Sequence, residues 1–168
     1  MKKILLVSML IIFQFFTVFQ SKAWESGEKE VSFDVEFKKV NRKEALEKFF
    51  DKYNSPLKSN SETFIKVADE YGIDYRLIPS ISCMESTCGK FLIKGSYNPF
   101  GWGIYGDNVI YFKNYDEAIK TVGNGLNKGY FAKGYNTIEK IAPIYTPPNS
   151  VNWKNGVSFF MNEISKFE

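Results

Sequence analysis

Apolar residues recur at helical spacing along most of the chain, and glycine, proline or asparagine repeatedly interrupts the pattern. Spacings of three and four residues place these side chains on one face of a helix, so the pattern favours a packed set of short amphipathic helices. It predicts helices over residues 42–53, 59–71, 75–88, 116–126, 136–145 and 150–167. The sequence therefore predicts a mainly α domain with a small amount of β structure at most.

Local signals set the expected ends of these helices. Ser59 with Glu62 has the pattern of a capping box for the second helix, and Asp74 is the expected N-cap of the third. Pro79 is unfavourable inside a helix that begins at residue 75, so we expect a kink there or a later start. Gly89 is the expected end of that helix.

The longest helix-free stretch lies between the third and fourth predicted helices, at residues 90–115. It contains the run YNPFGWGIYG at residues 97–106, and residues 108–112 are a possible short strand. A loop of this length in a small domain usually serves binding or catalysis. Because glycines let the backbone approach a ligand closely, we expect Trp102, between two glycines, to contact the ligand.

One carboxylate, Glu85, lies in the sequence ISCMESTCGK at residues 81–90, one turn before the expected helix end. The negative end of the helix dipole and a low local dielectric both disfavour ionisation, so we expect a raised pKa. An acid that stays protonated near neutral pH suits general acid catalysis. Glu85 is therefore the predicted catalytic residue, although most glutamates near helix ends are solvated surface groups.

The two cysteines, Cys83 and Cys88, flank Glu85. Paired cysteines in an exported protein suggest a disulfide. Side chains five positions apart on a continuous helix point away from each other, so a bond requires the helix to end between them. We favour the alternative, in which both are small buried hydrophobic residues.

The chain contains no histidine, which excludes Ser–His and Cys–His nucleophile pairs and any zinc site with a histidine ligand. We therefore expect chemistry that uses no metal and no cofactor. The formal net charge of +3 falls to zero once the three lysines within residues 1–23 are removed, and no long basic run remains. This balance argues against nucleic acid as a partner.

Residues 1–23 have the pattern of a secretory signal: a positive start, an apolar run over residues 4–19 and a small-x-small cleavage site ending at Ala23. The alternative is an uncleaved membrane anchor. The apolar run is shorter than the roughly 20 residues needed to span a bilayer, and it contains Gln14. We expect cleavage, no stable membrane insertion afterwards, and a location in the periplasm or outside the cell. Residues 24–58 would form an extension with the first helix, and residues 59–168 the main domain.

Three motifs, taken in order, resemble the lysozyme-like superfamily: EST at residues 85–87 at a helix end, YNPFGWGIYG, and IYTPP at residues 144–148. The resemblance is closest to bacterial glucosaminidase-like domains, the mannosyl-glycoprotein endo-β-N-acetylglucosaminidase-like family, and covers about residues 60–165. It implies a lysozyme-like fold with a groove-lining loop after the catalytic helix, acting on peptidoglycan glycan strands. Lytic transglycosylases share the catalytic helix but usually carry GLMQ where this chain has GWGI.

The resemblance also implies roles for single residues. Glu85 matches the catalytic general acid, and Tyr145 matches a tyrosine placed near the cleaved bond. Asp107 is the best candidate for a second carboxylate, although a turn-forming role is commoner for such a residue. Without that partner, the substrate's N-acetyl group or the muramic 6-hydroxyl would complete the reaction. The predicted substrate-binding residues are Ser86, Asn98, Phe100, Gly101, Trp102, Tyr105, Asp107 and Tyr111.

Three functions follow from these observations. The first is an exported glycosidase that hydrolyses β-1,4 bonds between N-acetylated amino sugars of peptidoglycan. The second is a lytic transglycosylase, which would leave anhydro-muramic ends. The third is a lysozyme-like module that binds glycan without cleaving it, and the presence of Glu85 argues against it.

Overall fold

The computed structural model describes residues 40–104, 106 and 108–168. The described residues form six α-helices and two 3-10 helices, without a β-strand, so the prediction of a mainly α fold is confirmed and the possible strand at 108–112 is not formed. The signal sequence, the N-terminal extension up to residue 39, Tyr105 and Asp107 lie outside the described residues. The α-helices are α1 (Arg42–Lys52), α2 (Ser61–Tyr71), α3 (Leu77–Ser86), α4 (Tyr115–Gly129), α5 (Ile138–Tyr145) and α6 (Ser150–Ser165), and the 3-10 helices are Pro56–Asn60 and Phe131–Lys133.

The capping box predicted for the second helix is wrong. Ser59 lies inside the 3-10 helix, and α2 begins at Ser61 with Asn60 as its N-cap. The sequence just before explains the difference, because Pro56 fixes the backbone at the first position of that 3-10 helix. Ser55 caps it by accepting a hydrogen bond from the Leu57 N–H at 3.1 Å.

The third helix starts later than its apolar pattern suggested, which is one of the two outcomes expected from Pro79. Helix α3 begins at Leu77, so Pro79 lies in the first turn, where its missing N–H leaves no hydrogen bond unmade. Asp74 is not the N-cap as predicted. Its carboxylate instead accepts a hydrogen bond from the Arg76 N–H at 3.0 Å and orders the turn before the helix.

Helix α3 ends at Ser86, two residues before the end of the predicted range 75–88. Thr87, Cys88 and Gly89 then adopt left-handed backbone conformations, with φ of 52°, 58° and 79°. This conformation is costly for residues other than glycine, so the turn needs support from elsewhere. Part of that support comes from Ser86, whose hydroxyl accepts a hydrogen bond from the Gly89 N–H at 2.9 Å.

The left-handed turn brings Cys83 and Cys88 together, and they form a disulfide. Our preference for two unbonded cysteines is therefore wrong. The condition set by their spacing is met, because the helix ends between them. The bond ties the last turn of α3, which carries Glu85, to the start of the following loop.

The described residues belong to one compact unit. Helix α3 packs most extensively against α6, which also packs against α5, while α2 packs against α4. This arrangement places the end of α3 beside the end of α5 and the start of α6. Among the helices of the described part of the chain, none is both long and apolar enough to span a bilayer. The largest fully buried core side chains include Leu46, Phe49, Phe50, Phe64, Ile78, Ile81, Ile119, Leu126, Ile141 and Ile164.

Candidate active site

Glu85 meets the first turn of α6. The indole Nε1 of Trp153 donates a hydrogen bond to Glu85 Oε1 at 2.8 Å. Tyr145, the last residue of α5, stacks on the Trp153 indole with the ring centroids 4.6 Å apart and an angle of 28° between the planes. The ring of Tyr130 lies beside that of Tyr145, with the two ring centroids 6.0 Å apart. The Glu85 carboxyl is therefore hydrogen-bonded to one end of a row of three aromatic rings, those of Trp153, Tyr145 and Tyr130.

The surroundings of Glu85 shift its pKa upward. Desolvation by the neighbouring helices is the largest cause, and the hydrogen bond from Trp153 opposes it by stabilising the ionised form. The Glu85 side chain is nevertheless exposed to water. We therefore expect a smaller rise than a fully enclosed carboxyl would show. The direction agrees with the expectation from the sequence, and of the two causes expected there the low local dielectric corresponds to the leading one, desolvation.

Two cavities meet at Glu85 and Thr146, which line both of them. The first has a volume of about 530 Å³ and lies between the loop after α3 and the aromatic row. The second has a volume of about 430 Å³ and lies against the start of α6. Glu85 thus lies where the two cavities join to form one open groove. The first cavity is also lined by Phe100, Gly101, Trp102, Gly103, Ile104, Tyr130 and Tyr145.

The wall of the first cavity is held in shape by Asn98, which is only 3% exposed. Its side-chain oxygen accepts a hydrogen bond from the Trp102 N–H at 2.9 Å, and its amide nitrogen donates to the Trp102 carbonyl at 2.9 Å. The same nitrogen lies 3.3 Å from the Ile110 carbonyl. Asn98 therefore connects the backbone at Trp102 with that at Ile110 and holds Trp102 at the groove.

Ser86 fastens this wall to the helix that carries Glu85. Its hydroxyl lies 2.8 Å from the Pro99 carbonyl and 2.9 Å from the Ser82 carbonyl, and the residue is 5% exposed. A hydroxyl has one proton to donate, so it bonds one of these carbonyls at a time. Glu85 and the loop wall are consequently fixed to each other through the next residue in the chain.

Trp102 also rests on helix α4. A Cβ atom added at Gly125 would lie 2.3 Å from Trp102 Cζ2, which is much closer than any real contact. The absence of a side chain at Gly125 is therefore what admits the indole ring against the helix backbone.

The structure brings together some of the predicted site residues and separates others. Glu85, Tyr145, Gly101 and Trp102 line the first cavity. Phe100 belongs to the same lining but is 2% exposed, so its ring forms part of the core beneath the groove. Tyr111 is 60% exposed and lies outside both cavities. Ser86 and Asn98 lie beneath the groove surface, and no placement is described for Tyr105 and Asp107.

Sequence reasoning missed several residues of the site. Trp153 belongs to the apolar stripe of the helix predicted at residues 150–167, and that pattern indicates only a core position. Tyr130 carried no motif at all. Asn149 and Asn152, which line the second cavity, follow directly on IYTPP and could have been found as polar residues one helical turn apart.

Within the described ranges, no group of cysteines and carboxylates is arranged to hold a metal ion. In comparisons with known proteins, no family model and no curated sequence matches this chain.

Proposed function

We propose that this protein is an exported glycosidase of the lysozyme-like type that cleaves β-1,4 bonds in the glycan strands of peptidoglycan, with Glu85 as the general acid. The observation that carries the proposal is the position of Glu85, a carboxyl of raised pKa at the junction of two cavities. A glycan strand could lie along both cavities with a glycosidic oxygen over this carboxyl. The aromatic and glycine-rich wall around Trp102 suits the apolar face of a sugar ring.

The hydrogen bond from Trp153 indicates which oxygen of Glu85 would donate the proton. An indole N–H can only donate, so Oε1 must accept, and the acidic proton is best carried by Oε2. Oε2 would transfer this proton to the glycosidic oxygen while the bond from that oxygen to C1 of the sugar breaks. The resulting carboxylate could then take a proton from the attacking nucleophile, which restores the acid.

The nucleophile separates hydrolysis from transglycosylation. Water, with or without help from the substrate's acetamido oxygen, gives a reducing end, whereas the muramic 6-hydroxyl gives an anhydro end. Both routes need the same acid, and Glu85 is the one carboxylate among the described residues that lines either cavity. The GWGI sequence in place of GLMQ supports the hydrolytic route.

Digestion of purified peptidoglycan, followed by mass spectrometry of the released fragments, tests the proposal. We expect reducing-end products from the wild type and essentially none from the Glu85→Gln variant. Anhydro products would replace the hydrolase with a lytic transglycosylase. Binding to the wall without any product from the wild type would leave a non-catalytic glycan-binding module.

A further inference from the structure

The second cavity has a chemical character different from the first. Apart from Glu85 and Thr146, it is lined by Met84, Pro147, Asn149, Asn152 and Trp153. The first cavity presents glycines and aromatic rings, whereas this one presents two neutral carboxamides beside the carboxyl of Glu85. A ligand that enters it meets hydrogen-bond donors and acceptors without a positive charge.

Asn149 is the N-cap residue of α6, a helix of 16 residues, yet its side chain makes no capping hydrogen bond. Asparagine is among the best N-cap residues because its side-chain oxygen normally accepts an N–H of the first turn. The carbonyl of Asn149 does begin the helix by accepting from the Trp153 N–H at 3.1 Å. The carboxamide is therefore not used in capping and is left available to the cavity that it lines.

Asn152 lies in the first turn of the same helix, and its side chain is exposed. Neither Asn149 nor Asn152 has a side-chain hydrogen bond to any residue that the structure describes. Thr146 adds a third polar group, because its Oγ1 is buried and has no hydrogen-bond partner within the same residues. A buried hydroxyl without a partner is costly and therefore uncommon.

We propose that Asn149 and Asn152, supported by Thr146, form a subsite for a secondary amide next to Glu85, on the side away from Trp102. This inference rests on the proposed function. A carboxamide side chain can accept from the N–H of a ligand amide and donate to its carbonyl, so two of them match one such group. An anionic ligand fits less well, because the cavity presents no cation and shares the carboxyl of Glu85.

Peptidoglycan carries secondary amides in two places: the acetamido groups of its sugars and the peptide stems. The residues at this subsite recognise the chemistry that the two share. Two substrates therefore separate the sources: intact peptidoglycan, and glycan strands whose stems have been removed by an amidase. Chitotetraose, which has acetamido groups and no stem, serves as a soluble binding probe.

The test compares kcat/KM on both substrates for the wild type, the Asn149→Ala/Asn152→Ala variant and Asn162→Ala, an exposed control on the same helix. We expect the double variant to lose about tenfold, as the loss of one or two hydrogen bonds implies, and the control to match the wild type. A loss on both substrates assigns the subsite to the acetamido group. A loss on intact peptidoglycan alone assigns it to the stem.

Failure of the subsite and failure of the proposed function give different results. A double variant that cleaves both substrates as fast as Asn162→Ala overturns the subsite and leaves the glycosidase intact. A wild type that cleaves neither substrate, and does not bind chitotetraose by titration calorimetry, overturns both. If cleavage is absent but chitotetraose binds, a tenfold weaker affinity of the double variant for chitotetraose or for intact peptidoglycan still supports the subsite, and unchanged affinities for both overturn it.

Discussion

At the scale of single residues, the site depends on the contact between Glu85 and Trp153. The indole N–H holds Oε1 in place and opposes the desolvation that raises the carboxyl pKa. Trp153 also carries Tyr145 on its face, so one side chain orients both residues for which the family resemblance implies a catalytic role. We regard Trp153 as a positioning residue, since it acts through Glu85.

Replacement of Trp153 by phenylalanine tests this role. The change removes the N–H and keeps a ring for Tyr145 to stack on, so the pKa of Glu85 should rise further. A general acid works only while it is protonated, so activity falls as the pH rises through this pKa. The alkaline limb of the kcat/KM profile should therefore move to higher pH in Trp153→Phe.

The control is Tyr145→Phe, which leaves the hydrogen bond from Trp153 to Glu85 in place and should leave the alkaline limb near its wild-type position. An alkaline limb that stays in place or moves to lower pH in Trp153→Phe would show that the indole N–H does not set the pKa of Glu85.

At the scale of elements, the groove depends on how the segment of residues 98–104 is attached to two helices. Ser86 ties it to α3, and Trp102 lies on α4 where Gly125 leaves room. The disulfide between Cys83 and Cys88 ties the end of α3 to the turn that follows it. The wall around Trp102 is therefore attached to the helix that carries Glu85 by direct contacts.

Alanine at Gly125 should push the Trp102 ring off α4. We expect KM for peptidoglycan to rise roughly two- to tenfold, the range for loss of an aromatic contact of ~0.5–1.5 kcal/mol. Tryptophan emission should shift to the red as the ring enters water. The Tm should change little. Alanine favours a helix interior by about 1 kcal/mol over glycine, and this gain offsets the lost contact between Trp102 and α4.

Gly129→Ala is the matched control, since Gly129 ends the same helix and a Cβ there would meet no atom within 4 Å. It should leave both KM and the emission unchanged. A Gly125→Ala variant that behaves like this control would show that Trp102 does not bind substrate from its place on α4.

At this scale, part of the structure could be predicted from the sequence and part could not. The sequence predicted the six α-helices that the structure describes, because burial of one face decides where an α-helix forms, but it did not predict the two 3-10 helices. It could not reveal that Trp153, 3% exposed and part of the core, also reaches Glu85 with its one polar atom. The disulfide was not predicted because it needs a left-handed backbone at Thr87 and Cys88. Threonine and cysteine rarely adopt that conformation, so their presence does not indicate such a turn.

At the scale of the whole molecule, α1 and α6, the first and last helices of the described residues, are joined by a nearly buried charge. Glu163 of α6 is 5% exposed, and its carboxylate pairs with Lys52 at the end of α1 at 2.5 Å and also with Lys166. The hydrogen bonds from Lys166 and Lys52 lower the pKa of Glu163 to about 2. This pair fixes α1 onto the helix that supplies Trp153.

Stability should therefore depend on acid through Glu163. Its folded-state pKa lies below the ordinary value of 4.5, so its contribution is fully present above that value and is lost as the pH falls through about 2. Glu163→Gln should have a lower Tm than the wild type at pH 7, and the two Tm values should converge at about pH 2. Glu47→Gln, at an exposed ion pair, should change the Tm little at either pH. An equal Tm loss for Glu163→Gln at both pH values would contradict this account.

The central claim concerns Glu85, and the most direct test is the initial rate at which wild type and Glu85→Gln release fragments from purified peptidoglycan at equal bound protein. Glutamine still accepts the Trp153 hydrogen bond but has no proton to give. The account predicts a rate at least about a hundredfold lower for the variant, with binding to the wall retained. Cleavage by Glu85→Gln at a rate close to that of the wild type would show that the acid lies elsewhere and would contradict the account.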